Sequence, residues 1–426
     1  MPVDRLVVIG AGPKGVAVAA KAYALRQVGM HAPDVTIVEA GAVANNWRRD
    51  GGWTDGCQSL GTSPFKDLGF PYGTDEYPAD HPVTAEMFKV SWGSYLAKTG
   101  QYSKWTDRGS PAPIHEEWAD YLQWAVAQIH ADIVYSAATS IDRRRDRGEF
   151  EVLLANSGVV RGDAIMFTGF GRSRAPLSPA CLLVHDFWAT KSKDERFFGK
   201  RVIIVGSGET AASITKCLVE KSRPADIVVI SPTETIYSRG ESYLENQLYS
   251  EPIRWAEFSV DQRREFIRRT DRAVFSQDVQ NMISSHGIHR HVQGRVQSVE
   301  STRSGVVAEV HDATNAGVSY LEADYVIDAR GGDPLWFGPL LSDSLVADLA
   351  ASVGGAFSES AVEASIGYDL AITGFSSKVF VPNLSALRQG PGFPNLSSLG
   401  RLADRVMVGV GAAPGRRAAL VRVGAL

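Results

Sequence analysis

Two short runs of this 426-residue chain carry residue types and spacings able to hold a dinucleotide. In "VVIGAGPKG" (7–15), Gly10 suits the tight turn after a strand. Gly12 leaves room for the backbone to approach a pyrophosphate, and Gly15 for a helix to pack closely on its strand. The strand-like "DVTIVEA" that follows ends in Glu39, placed to grip an unphosphorylated ribose. In "KRVIIVGSGETAA" (200–212), Gly206, Gly208 and Ala211 repeat the pattern, with Thr210 in the same turn. Its partner strand, "ADIVVIS", ends in Ser231 instead of an acid, and Arg239 follows eight residues later. A carboxylate there would repel a 2′-phosphate, whereas serine and arginine tolerate one. The first cradle therefore reads as an FAD site and the second as an NADPH site, the second delivering hydride to the first.

The elements that must position these residues are two strand–turn–helix units, each offering a helix N-terminus to phosphate. "GDAIMFTGFG" (162–171) and "ADYVIDARGG" (323–332) each repeat an acid, a hydrophobic strand and a glycine turn on either side of the second cradle. Both are expected to rejoin the first sheet. The fold class is then α/β, with two Rossmann-like dinucleotide-binding domains. The FAD domain is formed by 1–176 and 323–426, and the NADPH domain by 177–322, with a helical excursion over about 240–290. The length favours two or more domains. A net charge of −4 argues against a nucleic-acid partner. Asp4 and Arg5 lead straight into a strand, so no secretory leader is expected. No apolar run is long enough to span a membrane. Cys57, Cys181 and Cys217 form no C-x-x-C pair, which fits a cytoplasmic setting and removes dithiol–flavin reductases from contention. The sequence is compatible with a homo-oligomer and does not specify one.

Further motifs narrow the class: "NNWRRDGGWTDGCQSLGTSPFKDLGFPYG" (45–73), "SRGESYLENQLYSEP" (238–252), "TDRAVFS" (270–276), "DPLWF" (333–337), "IGYDLAIT" (366–373) and "QGPGFPNLSSLG" (389–400). With the two cradles, they resemble the flavin-dependent N-hydroxylating amino-acid monooxygenases, most nearly the lysine N6-hydroxylases of mycobactin-type siderophore pathways. The resemblance runs from Val7 to about Gly409. It implies N6-hydroxylation of L-lysine with O2, FAD and NADPH, the flavin carrying the oxygen chemistry, so that no side chain is expected to be catalytic. It implies that Lys66 and Asn246 meet the substrate carboxylate and that Ser397 lies near the reacting end. Asp271 falls where ornithine-using relatives have asparagine beside the substrate. Trp47 is taken with Gly10, Gly12, Gly15 and Glu39 as part of the flavin site. The chain departs from the family pattern at "LGTSPFKDL" and "DARGG", and at Glu209 and Thr210, where the family has glutamine and serine. Ornithine or another amine as substrate, a weakly coupled NADPH oxidase, and a flavin-binding protein without turnover are the competing readings.

His286, His289 and His291 in "SSHGIHRH" lack the spacing of a zinc site and read as a polar turn. Trp118, Tyr121 and Trp124 have helical spacing and read as core. "DQRREFIRRTDR" (261–272) reads as a charged helix face. The tail after Gly411 reads as loose.

Overall fold

The computed structural model describes residues 3–412 apart from 51, 145, 170, 172–173, 191–192, 287–288 and 313–316. The tail reading therefore lies outside the described residues beyond 412. Short apolar runs, buried on both faces in the central strands, form two parallel five-stranded sheets, each with helices packed on one face and an antiparallel meander on the other. The first orders its strands Lys378–Phe380, Ala164–Phe167, Arg5–Ile9, Asp34–Glu39 and Asp132–Tyr135. The second orders His289–Gln293, Asp226–Ser231, Arg201–Val205, Tyr325–Asp328 and Leu182–Leu183.

Each sheet is built by one plan. A strand enters a glycine turn and a helix, and later a three-stranded antiparallel meander precedes a strand returning to the first strand's other side. The meanders are 138–144, 149–154 and 159–162 in one unit, and 295–302, 305–311 and 318–323 in the other. The returning strands are Ala164–Phe167, beside Arg5–Ile9, and Tyr325–Asp328, beside Arg201–Val205. This corrects one expectation. The strand of 323–332 closes the second sheet, so the second unit extends through Asp328 instead of ending at 322, and Lys378–Phe380 is the strand that rejoins the first. Each "acid–strand–glycine" echo closes its own unit, and the pattern is alike because the plan is alike.

The helix Pro13–Gln27 is rich in alanine and valine and buried nearly all round, as a helix apolar on every face must be. It lies between the first sheet and the helix Leu399–Gly409, where Lys21 and Asp404 form a buried ion pair at 2.6 Å. The aromatic residues behave as core: Trp118 and Tyr121 are fully buried, and Trp124 packs beside them.

The excursion leaves the second sheet after Ser231 and returns at His289. It contains helices Tyr243–Ser250, Val260–Thr270 and Gln277–His286, plus a short parallel pairing of 237–238 with 274–275. Ser242 with Glu245, and Ser259 with Gln262, form reciprocal capping boxes that fix the first two helix starts. The excursion packs on the last part of the first unit. Trp255 donates to the Leu387 carbonyl at 3.1 Å, and Ser398 to that of Tyr249 at 3.0 Å. His286 ends a helix while His289 and His291 lie on a strand, so the three do not share one turn.

Candidate functional site

Both glycine turns have the geometry a pyrophosphate needs. Gly10 and Gly206 adopt φ of 107° and 113°, a region open to glycine. A Cβ on Gly15 would sit 2.4 Å from the Gly10 carbonyl oxygen, so this helix touches its own turn. A Cβ on Gly12 or Gly208 would meet nothing within 4 Å, which leaves the helix N-termini approachable. Thr210 is half-buried in the first turn of the helix Glu209–Cys217. Glu39 lies at the mouth of the first cradle, where its carboxylate accepts from the amides of Ala11 at 2.7 Å and Gly41 at 2.8 Å. A carboxylate can accept about four bonds, so lone pairs remain for a ribose. Trp47 ends a single turn, Asn45–Trp47, edge-on to His115 at 4.7 Å.

Ser231 departs from expectation. Its hydroxyl is buried and bonded to Thr233 at 2.8 Å and His291 at 2.9 Å. With the hydroxyl so engaged, what the strand end retains of the expectation is the lack of a carboxylate.

Between the units lies a cleft of about 590 Å³. Gln58–Pro64 and Lys66 line it from the first unit, Glu209 from the second cradle's helix, Arg239 and Asn246 from the excursion, and Ser397 from the C-terminal part. Lys66 Nζ donates to Asn246 Oδ1 at 2.7 Å across 180 positions of sequence. Burial, with the Arg239 cation adding to it, lowers the Lys66 pKa; Glu241 opposes. The Asn246 amide nitrogen is committed to the carbonyls of Glu241 and Ser242, at 2.9 and 3.2 Å. Asn246 therefore presents an acceptor to the cleft and orients Lys66, and the amide donor expected for a carboxylate is used at the start of its own helix. Arg239 reaches Glu209 at 3.4 Å, and burial raises the pKa of that acid.

Asp271 does not line the cleft. It caps the helix Val260–Thr270 and accepts from Asn395 Nδ2 at 3.0 Å, while Asn395 Oδ1 accepts the Ser397 amide at 2.7 Å. Burial raises the Asp271 pKa against several nearby cations, Arg239 foremost. Sequence reasoning missed three residues here. Asn395 ties Asp271 to Ser397. Asp67 pins the loop that carries Lys66, accepting from Tyr72 at 2.7 Å and the Trp92 amide at 2.8 Å. Lys14, inside the first glycine motif, is buried with its amine pulled down to about 8 by desolvation, Asp271 opposing. A long charged side chain among glycine and proline was the available signal for Lys14. Nothing local marked the other two.

Two glycine-turn cradles, the second of whose helices walls a cleft that holds a half-buried lysine, are the arrangement of a two-nucleotide oxidoreductase. The chain belongs to the L-lysine 6-monooxygenase/L-ornithine 5-monooxygenase family, which residues 87–331 match. It is 42% identical over 412 residues to the L-lysine N6-monooxygenase MbtG of Mycolicibacterium paratuberculosis, covering 95% of each chain. It superposes on the lysine monooxygenase NbtG from Nocardia farcinica with TM-score 0.86 at 41% identity, covering 95% of this chain and 99% of that one. An ornithine N-hydroxylase from Kutzneria shares the fold, with TM-score 0.73 at 17% identity and coverage of 96% and 99%. Among the described residues no helix is long and apolar enough to cross a membrane.

Proposed function

We propose that this chain hydroxylates the side-chain nitrogen of L-lysine at N6, using FAD, NADPH and O2, to supply a hydroxylamine for hydroxamate siderophores. The observation that carries the reading is the 2.7 Å Lys66–Asn246 contact, which sets a cation at one end of a cleft walled by the second cradle's helix. The lysine-specific names of relatives at 41–42% identity support it. FAD would lie against Gly10, Gly12, Gly15 and Glu39, and NADPH against Gly206, Gly208 and Thr210, with Arg239 at the cleft. Bound there, the reduced flavin supplies the activated oxygen.

The chain's own residues bind and orient. The Lys66 ammonium holds the substrate carboxylate, and Asn246 fixes Lys66 while offering its Oδ1 to the α-ammonium. Asp271, through Asn395, steadies Ser397 at the other end. The attacking amine must be neutral, yet a free lysine side chain is neutral in only about one molecule per thousand at pH 7.4. Desolvation of the amine on entering the cleft raises that fraction by disfavouring the ammonium, so no dedicated base is needed. Anchoring at the carboxylate measures chain length. Ornithine, one methylene shorter, falls about 1 Å or more short, which can cost about a hundredfold in rate.

Mass analysis of products from NADPH, O2 and a panel of lysine, ornithine and acylated lysines tests the proposal. Expected is N6-hydroxylysine, with kcat/KM for lysine about a hundredfold above ornithine. Equal values would overturn the length argument, and hydrogen peroxide without any hydroxylamine would identify an oxidase.

A further inference from the structure

Two lysines are buried along the helix Pro13–Gln27, and the fold treats them differently. Lys21 is met by Asp404 at 2.6 Å. Lys14, seven residues earlier and only 8% exposed, has no hydrogen bond or ion pair among the described residues. A buried ammonium without a partner is strongly disfavoured, so a side chain kept there calls for compensation from elsewhere. Its setting indicates from where. Lys14 is the second residue of the helix whose first turn faces the pyrophosphate, and the approach at Gly12 is open. The carboxylate whose charge it feels is Asp271, which is bonded through Asn395 to the Ser397 backbone. Ser397 lines the substrate cleft. The amine thus lies between the first cradle and the cleft, on the side where a flavin ring must reach if the second cradle is to reduce it. The phosphates are served by the helix N–H groups, so the ring's carbonyl and nitrogen acceptors are what remain for Lys14.

We propose that Lys14 is a cofactor-contacting residue whose ammonium meets the polar edge of the flavin ring and favours its reduced, anionic form. The inference rests on the FAD reading above. Asp271 has a second role in this arrangement: its carboxylate keeps the Lys14 amine charged in a buried position.

The test begins with the absorption spectrum of the purified wild-type protein. Absence of bound FAD after loading would overturn the cofactor reading, and this inference with it. With FAD bound, the two-electron midpoint potential is compared among wild type, Lys14→Met and Lys14→Arg. The expected result is a preference for the reduced form about tenfold weaker in Lys14→Met, a drop of about 30 mV, with Lys14→Arg close to wild type. Equal potentials in wild type and Lys14→Met, both loaded with FAD, would overturn the inference and leave the cofactor reading standing. If Lys14→Met fails to fold or to hold FAD, a crystal structure of the FAD-loaded wild type decides. Lys14 Nζ within about 3.2 Å of a flavin-ring oxygen or nitrogen supports the contact. An amine bonded to Asp271 alone overturns it.

Discussion

At the scale of single residues, the anchor makes the sharpest demands. Lys66→Met removes a charge-assisted bond worth about 1.5–3 kcal/mol, so KM for lysine should rise about 10- to 100-fold. Flavin content should stay unchanged, because Lys66 touches neither cradle. Steady-state hydroxylamine formation and the flavin spectrum check both parts. The Lys66 amine also carries a sign for pH dependence. Burial and Arg239 lower its pKa, so its charge is present on the acid side and lost below the ordinary lysine range as pH rises. KM for lysine should climb on that alkaline limb in wild type, and the limb should be missing in Lys66→Met. Sequence reasoning singled out Lys66, Asn246 and Ser397 through motifs, and they line one cleft. It could not read which way the Asn246 amide points, because that depends on the Glu241 and Ser242 carbonyls just ahead of its helix. Nor could it see Asn395, whose importance comes only from two partners brought close by folding.

The elements around the site separate ligand effects from folding effects. Gly208 has φ of −88° and open space around an added Cβ, so Gly208→Val should fold and keep its FAD while losing reduction by NADPH. Gly206 has φ of 113°, and an added Cβ would lie 2.6 Å from the Ala329 carbonyl oxygen. Gly206→Ala should therefore lower the melting temperature before any question of cofactor arises. Stopped-flow flavin reduction and thermal melts distinguish the two. The loop bearing Lys66 has its own signature. Burial pushes the Asp67 carboxyl up to about 6, so the folded state holds that proton more tightly than the unfolded chain. This stabilisation is complete below about pH 4 and is lost as pH rises through about 6, by at most about 3 kcal/mol. In Asp67→Asn the decline in melting temperature across that window should be shallower. The cradles were legible as elements because a glycine turn after a β-branched run has few other uses. The Asp67 clamp was not, since its acceptors serve backbone amides 2 and 25 residues away.

For the molecule as a whole, the strand before the second cradle's ribose end closes without an acid, and Arg239 stands in the cleft together with Lys66 and Lys216. NADPH should therefore reduce the flavin faster than NADH, and Arg239→Ala should narrow the ratio. Ser231→Ala should leave it unchanged, because the hydroxyl is occupied by Thr233 and His291. Equal wild-type rates with NADH and NADPH would defeat the assignment. Two parallel-sheet units could be read from two fingerprints, but their boundary could not, since both units end their meanders in the same acid–strand–glycine phrase and only pairing tells them apart. That pairing also orders events in time. The second sheet's strands all come from one stretch, 182–328, whereas the first sheet needs Arg5–Ile9 and Lys378–Phe380, and the Pro13–Gln27 helix needs its cover from Leu399–Gly409. On the ribosome, an inserted unit can close as soon as it emerges, while the surrounding one waits for the strand and helix of 378–409. The second unit is thus able to fold during translation, while the first cradle's helix gains its cover only once residues 399–409 have been made.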